Sequence, residues 1–467
     1  MSRPKVVALI VFFAGLALLV SVRPGLSQDD AAYAKWNLLV EVVTNIKQKY
    51  VDEVSDEELF RGAIDGMMRV LDPHSTYINA EQLKGLDEET RGSFSGIGIE
   101  ISMEDGWLTV IAPIMDGPAF KAGVQAGDRI IGIEGDSTEG LSLLDAVKKL
   151  RGRKGTKVAI TVLHRTTGGT EEFSIVRDDI KLPSVAGIRH LPDGDWDFMI
   201  DEKDKIGYVR LVAFQENSVA QLDAAVEKLL AQGMQALVLD LRFNPGGLLE
   251  SAVEVSDRFL NDGIIVSTRG RSTPPKEYRA TKANTYDDFS LIVLVNEWSA
   301  SASEIVAGAI QDNRRGLLLG QRTFGKGSVQ ALINLDGGEE GALKLTVAKY
   351  YTPSGRSIHR SRPQPRRFPS TTPAPNETAP RKPESKEEAA EEDGGLAPDI
   401  EVPMSPEDEV KLQKVWSQAH RSYMQEPASK PATQAADETK DLQGFEDTQL
   451  KQALLILKGH GLLSGDK

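Results

Sequence analysis

The sequence contains no cysteine in its 467 residues. This absence excludes disulfide bonds, a thiolate nucleophile and cysteine-based zinc sites. Histidine is scarce, with six residues, and the His-Glu-x-x-His pattern of zinc proteases does not occur. Acidic residues outnumber basic residues, 69 to 55, so the net charge is −14. The composition therefore predicts no nucleic-acid partner.

The N-terminus carries a targeting segment. Arg3 and Lys5 precede an apolar run from Val6 to Val22. This pattern is typical of a secretory signal peptide, and the same run, if retained, is a candidate membrane anchor (residues 6–22). Both interpretations predict that the rest of the chain lies outside the cytoplasm, in a periplasm or similar space, either released or tethered to the inner membrane. Residues 1–27 are set apart from the fold.

Hydrophobic periodicity predicts an α/β multidomain protein. An N-terminal helical region is followed by short strands around one helix, then by alternating strands and helices with a largely parallel sheet. A proline-rich stretch is predicted to be a disordered insertion in this last part. The final helix has an apolar face that packs either on another chain or on its own core. The predicted boundaries are 28–92 for the helical region, 93–180 for the β-rich domain, 181–403 for the core with its insertion 356–393, and 404–467 for the C-terminal helices.

The β-rich segment opens with a glycine-containing stretch, Gly96-Ile97-Gly98-Ile99. Glycines allow successive N–H groups to point into one concavity, which suits a carboxylate. An extended peptide can then add to the neighbouring strand edge. A bulge or turn is the alternative explanation. Together with Gly117–Gly123 and Ala126–Ile130, this stretch makes the segment resemble a PDZ domain.

A run of serines, Ser299-Ala300-Ser301-Ala302-Ser303-Glu304, lies where a buried strand turns into a helix. Ser301 and Glu304 have the spacing of a capping box, which is one interpretation. The other interpretation is a nucleophile, because a helix start can present a serine hydroxyl beside unpaired backbone N–H groups.

A serine nucleophile needs a base. Gly320–Lys326 matches most of a phosphate-binding loop but lacks the Ser or Thr after the lysine, so we do not predict nucleotide binding. No histidine shares a motif with Ser301, although a triad assembled in space stays open. Lys326 lies between two glycines, and a buried lysine can be neutral and accept a proton. Gln330 can hold the amine by a hydrogen bond without adding charge.

Three motifs then form one pattern: Asp240–Gly247, the serine run, and Gly325-Lys326-Gly327-Ser328-Val329-Gln330. Together with the PDZ-like segment, they resemble the carboxyl-terminal processing (tail-specific) proteases over about residues 35–405. The resemblance implies a crotonase-like or ClpP-like α/β serine protease core with the PDZ-like domain inserted before it. It also implies that Ser301 is the nucleophile, Lys326 the base and Gln330 its support. The implied oxyanion donors are the backbone N–H groups of Ala302 and of Gly246 or Gly247, with Gly247 preferred.

The function implied is that of a secreted serine endopeptidase that cleaves proteins near their C-termini through an acyl-enzyme. Its PDZ domain captures the substrate's carboxylate through Gly96, Ile97, Gly98 and Ile99. The resemblance further implies protein substrates, often a homo-oligomer or an adaptor that brings substrate, and no metal or cofactor. Trp298 departs from the family pattern, where a small residue is expected, and suggests a narrower cleft. The alternative function is a non-catalytic peptide-binding scaffold, against which the intact Ser301, Lys326 and Gln330 argue.

Overall fold

The computed structural model describes residues 28–104, 106–114, 117–165, 167–191, 195–360, 394–424 and 445–464. The predicted signal or anchor segment and residues 361–393 of the predicted insertion lie outside the described residues. Within the described ranges, no helix combines the length and apolar character needed to cross a membrane. The chain forms two compact units, divided between Tyr77 and Ile78.

The first unit contains two helices, α1 (Gln28–Lys49) and α2 (Asp56–Arg69). Ser55 begins α2 with a capping box, since its side chain accepts from the Glu58 N–H and the Glu58 carboxylate accepts from the Ser55 N–H. A short strand, β1 (Thr76–Ile78), crosses the division between the units. The helical character predicted for this region is therefore present.

The β-rich part of the second unit is an antiparallel sheet of order β3-β4-β5-β7-β8, with β6 beside β5 and a separate β2–β9 pair. Ser142 begins α5, as its spacing predicted. Ala146 and Leu150 of α5 share one buried cluster with Ile97. Ile99 and Ile101 of the edge strand β3 pack against the same cluster. The elements are α3 (Ala80–Arg91), β2 (Ser93–Gly96), β3 (Ile99–Glu104), β4 (Trp107–Pro113), α4 (Pro118–Ala122), β5 (Arg129–Ile133), β6 (Asp136–Ser137), α5 (Leu143–Leu150), β7 (Lys157–Leu163), β8 (Thr170–Val176) and β9 (Asp178–Lys181).

The rest of the second unit is built on a mostly parallel sheet of order β10-β14-β15-β18-β19-β22. Neighbours from β14 to β22 run parallel, whereas β10 and β13 are antiparallel to β14. The alternating strand and helix pattern therefore gave the correct sheet type. The elements are β10 (Val185–Ala186), β11 (Arg189–His190), β12 (Trp196–Asp197), β13 (Met199–Asp201), β14 (Ile206–Leu211), α6 (Ser218–Ala231), β15 (Ala236–Asp240), α7 (Leu249–Asp257), β16 (Ile264–Gly270), β17 (Lys276–Arg279), β18 (Ser290–Val295), α8 (Ala302–Asp312), β19 (Leu317–Gly320), β20 (Ser328–Asn334), β21 (Ala342–Tyr351), β22 (Ile400–Glu401), α9 (Pro406–Met424) and α10 (Thr448–Ser464).

A second, antiparallel sheet lies beside this core. Strand β16 pairs with β17 on one side and β21 on the other, and β20 pairs with β21. This sheet carries the chain that follows Lys326. It therefore fixes one wall of the region where the predicted site residues meet.

Both faces of the parallel sheet are covered. Along β15, Leu237 and Leu239 lie in one buried cluster with helices α6, α7 and α8, while Ala236 and Val238 lie in another. This second cluster includes Leu457 of α10. The alternation follows from the two-residue period of a strand. Of the two predicted uses of the last helix, the structure has the one in which it packs on its own core.

We expect Leu457→Ala to lower the free energy of unfolding by about 2–4 kcal/mol, because it removes a buried side chain from this second cluster. Leu457 is 6% exposed, and Leu455 on the same helix is 55% exposed. Leu455→Ala is the matched control, with an expected change within about 0.5 kcal/mol. Urea unfolding of both variants measures the difference. Equal effects would contradict the packing of α10 on the sheet.

Candidate active site

Ser301 lies at a sharp turn between β18 and α8. Its backbone has φ 57° and ψ −112°, a conformation that residues with a side chain rarely adopt. Such a backbone costs about 1–3 kcal/mol and persists only where its surroundings hold it. The turn is therefore a place where the fold stabilises an unfavourable geometry at one serine.

The neighbouring serines have structural roles. The Ser299 hydroxyl donates to the Leu241 carbonyl at 2.8 Å, and the Ser303 hydroxyl donates to the Asn244 carbonyl at 2.9 Å. Both residues are fully buried, whereas Ser301 is only partly buried. Ser301 is thus the one serine of these three that is partly exposed.

Glu304 joins the serine turn to the lysine loop. Its Oε2 accepts from the N–H of Ser301 at 2.8 Å and of Lys326 at 2.9 Å. Its Oε1 accepts from the Thr323 hydroxyl at 2.6 Å and the Gly325 N–H at 2.7 Å. The side chain is fully buried, and burial raises its pKa while these four donors oppose that shift. Since every partner is a donor, the geometry fits the carboxylate form.

The Lys326 amine has a lowered pKa. Burial is the main cause, the positive charge of Lys344 adds to it, and the negative charge of Glu304 opposes it. Within the described part of the chain, no hydrogen bond or ion pair holds the Lys326 ammonium. A lysine in these surroundings loses its proton more easily than a free lysine does, which suits a general base.

The glycines around Lys326 allow other segments to approach closely. A Cβ on Gly327 would lie 2.6 Å from the backbone nitrogen of His359. Gly325 has φ 91°, and its carbonyl accepts from the Arg360 N–H at 2.9 Å. The chain that leads into residues 361–393 therefore packs directly on the lysine loop.

Gln330 lies in β20, close in sequence to Lys326. Its amide nitrogen donates to the Ser328 hydroxyl at 2.8 Å and to the Thr346 hydroxyl at 3.4 Å. The structure does not bring this amide to the lysine amine. The supporting role of Gln330 stays a prediction.

The predicted oxyanion loop lies against the serine turn. A Cβ on Gly246, which has φ 101°, would lie 2.8 Å from the Ser301 Cβ and 2.9 Å from the Ala302 nitrogen. The Asn244 carbonyl accepts from the Ala300 N–H at 3.1 Å. Glycine is needed here because any side chain would collide with the turn.

Gly246 and Gly247 differ in the hydrogen bonding of their backbone N–H groups. The Gly246 N–H donates to the Asn244 side-chain oxygen at 2.9 Å. The N–H groups of Gly247 and Ala302 have no acceptor among the residues that the structure describes. An oxyanion donor needs such an unpaired N–H group, and the oxyanion role of Ala302 and Gly247 stays a prediction.

The predicted carboxylate site lies at the start of β3. Gly98 has φ 72°, and its carbonyl accepts from the Ile114 N–H at 2.8 Å. The Ile97 carbonyl accepts from the Ala119 N–H at 2.8 Å, and Ile97 itself is buried. Gly96 ends β2 and Ile99 begins β3. The stretch is thus a turn that leads directly into the edge strand of the PDZ-like sheet.

Two residues near the site make contacts that the sequence did not predict. Tyr350, at the end of β21, lies in hydrogen-bond contact with Ser301 and donates to the Lys326 carbonyl. Burial, and then the charge of Glu304, raises the Tyr350 pKa well above its usual value, so the phenol stays neutral. Nothing in the sequence pattern indicated Tyr350. The capping-box spacing predicted a contact between Glu304 and Ser301, but nothing in the sequence predicted the contacts of Glu304 with the lysine loop.

Three protein families match parts of this chain. Residues 205–366 match Peptidase family S41, residues 87–163 match the PDZ domain, and residues 21–82 match the N-terminal domain of the activating protease CtpB. These matches define the class as a PDZ-containing serine peptidase.

Curated relatives narrow the class. A carboxy-terminal-processing protease of Bartonella bacilliformis is 41% identical, over 74% of this chain and 78% of the relative. The carboxy-terminal processing protease CtpA of Bacillus subtilis is 35% identical, over 76% of this chain and 72% of the relative. Among solved structures, the photosystem II D1 C-terminal processing protease is 29% identical, covers 78% of this chain and 86% of its own, and has a TM-score of 0.41. The chain belongs to the carboxy-terminal processing proteases of peptidase family S41.

We expect Glu304→Gln to lower the free energy of unfolding by about 3 kcal/mol, because an amide cannot accept from all four donors and leaves buried groups unpaired. With Lys326 as the predicted base, the activity of the wild type should rise with pH through the lowered pKa of this lysine, since only the neutral amine accepts a proton. Because the charge of Glu304 raises that pKa, the residual activity of the variant should rise at lower pH than that of the wild type.

Urea unfolding and a pH–rate profile test both effects. Glu407→Gln is the matched control, an exposed glutamate in the first turn of α9. If the pH at half-maximal activity were the same in Glu304→Gln and the wild type, the carboxylate would have no influence on the lysine pKa.

Proposed function

We propose that Ser301 is the nucleophile and Lys326 the general base of this peptidase. The neutral Lys326 amine takes the Ser301 hydroxyl proton as the oxygen attacks the peptide carbonyl, and the protonated amine then gives a proton to the leaving amine. This produces an acyl-enzyme, which water hydrolyses. The N–H groups of Gly247 and Ala302 stabilise the oxyanion at both stages.

One observation carries this proposal. A single buried oxygen, Glu304 Oε2, accepts from the backbone N–H of both Ser301 and Lys326. Two segments far apart in sequence are thereby held against the same atom. The lowered pKa of Lys326 supports the role of the lysine within this arrangement.

We further propose that the PDZ domain captures the substrate's C-terminal carboxylate. Gly98 turns the backbone at the start of the edge strand β3, and Ala146 and Leu150 of α5 belong to the apolar cluster that Ile99 and Ile101 contact. A peptide added to β3 would place its last side chain between the strand and the helix. Cleavage near the C-terminus of the substrate follows from this mode of binding.

The site of action and the assembly are also proposals. The charged start and apolar run of residues 1–27 support an extracytoplasmic protease, either released or tethered to the membrane through residues 6–22. The family resemblance supports a homo-oligomer or an adaptor that presents substrate. Fractionation of cells and the molar mass in solution test these two points.

We expect Ser301→Ala and Lys326→Ala to abolish cleavage of an unstructured protein, with a loss of at least about 10³-fold, because each removes a reacting group. Ser299→Ala is the matched control and should keep activity despite some loss of stability. Circular dichroism establishes that each variant is folded. Continued cleavage by Ser301→Ala would refute the assignment of the nucleophile.

Capture of the carboxylate has its own test. We expect amidation of a substrate's C-terminus to raise KM, because a neutral amide pairs more weakly with the N–H groups of the turn. Gly98→Ala should raise KM for the free-acid substrate, since its φ of 72° disfavours a side chain and Ile180 lies 3.0 Å from the added Cβ. Equal kinetics for acid and amide would remove carboxylate capture from the mechanism.

A further inference from the structure

The C-terminal helices reach the active-site loop through one buried arginine. Arg242 is 2% exposed and directly precedes Phe243–Gly247 in the chain. Its guanidinium donates to both oxygens of Asp240, at 3.0 Å from Nε and 2.6 Å from Nη2. A buried cation of this kind is stable only when its other N–H groups are also paired.

Those remaining N–H groups are paired by α10. The Arg242 Nη1 and Nη2 donate to the two oxygens of Asp447 at 2.9 and 2.8 Å, and Nη1 also donates to the Gln449 side-chain oxygen at 3.0 Å. Asp447 also accepts from the Leu450 N–H at 3.0 Å, which caps α10. One carboxylate therefore begins the last helix and completes the pairing of Arg242.

Helix α9 contributes a second set of contacts. The Arg242 guanidinium lies over the Trp416 ring at 5.4 Å from its centroid, and the Arg210 guanidinium lies over the same ring at 4.2 Å. The Phe243 ring meets Trp416 edge to face, with centroids 5.7 Å apart. Phe243 has φ 59°, a backbone that needs support from its surroundings.

Trp298, the departure from the family pattern, makes a similar contact. Its indole nitrogen donates to Glu409 of α9 at 3.3 Å. Trp298 lies in the loop that leads from β18 to Ser301. Helix α9 therefore touches the segments on both sides of the site, the one before Gly246 and the one before Ser301.

We propose that the C-terminal helices position the oxyanion donor of Gly247 through Asp447, Trp416 and Arg242. The three act as positioning residues, because none of them is placed at the reacting atoms. The inference rests on the proposed function for its catalytic consequence. The positional consequence, a loop held in place from α9 and α10, stands independently of that function.

Two variants of the full chain test the inference. Asp447→Asn removes the negative charge, and asparagine caps a helix as well as aspartate does, so α10 keeps its start. Trp416→Ala removes the ring that contacts both Arg242 and Phe243. Lys451→Ala is the matched control on the same helix, because the substitution removes an exposed side-chain ion pair with Glu446 and keeps the backbone.

We expect both variants to lower kcat at least about tenfold, since a misplaced oxyanion donor loses part of a contribution of about 10²–10³-fold. KM and the pH at which activity rises should stay unchanged, because substrate capture and Lys326 are not touched. Backbone hydrogen exchange of residues 242–248 should become faster in both variants and stay unchanged in Lys451→Ala. A purely stabilising role would lower the melting temperature without changing kcat or exchange at this loop below the transition.

Folded variants with kcat and loop exchange equal to the wild type would overturn the inference. A separate result, cleavage by Ser301→Ala, would refute the proposed function. In that case the exchange measurement alone decides whether the helices hold the loop. Faster exchange would support the positional part, and unchanged exchange would refute it.

Discussion

The burial of the Glu304 carboxylate constrains the whole site. Removing an ionised group from water costs several kcal/mol unless hydrogen bonds replace its hydration. Here the donors come from the serine turn and from residues 323–326, so the carboxylate is satisfied only when these segments meet. The buried carboxylate therefore has all its hydrogen bonds only when the site is correctly formed. The strained backbone of Ser301 is stabilised by the same contacts.

The burial of the Arg242 guanidinium places a similar constraint on the loop Phe243–Gly247, which follows it in the chain. Its charge is satisfied by Asp240 from the sheet and by Asp447 from the last helix. Because Arg242 is followed at once by the loop that carries Gly246 and Gly247, the docking of the C-terminal helices and the shape of that loop are linked. Glu304 thus binds the Lys326 N–H, 22 residues along the chain, and Arg242 binds Asp447, 205 residues along the chain.

The sequence predicted the elements that depend on local pattern. The buried strands, the start of α5 at Ser142 and the largely parallel sheet follow from periodicity and capping chemistry. It could not assign a partner to the apolar face of α10, because a stripe of leucines shows that a face is buried but not against what. Gln330 illustrates a further limit. Its spacing allowed contact with Lys326, but the pairing of β20 with β21 places its amide beside Thr346 instead.

The groups available for chemistry, and their local setting along the chain, can be read from the amino-acid sequence. Without cysteine, and with glycines on both sides of Lys326, it pointed to a serine and a lysine, and the motifs around them carried the family resemblance. The groups around that pair become visible in the folded chain: the shared oxygen of Glu304, the phenol of Tyr350 and the anchoring of Arg242 by α10. The physical reason is that pKa values, strain and hydrogen-bond satisfaction depend on atoms that are close in space. Here those atoms come from segments whose separation in sequence leaves no periodic signal.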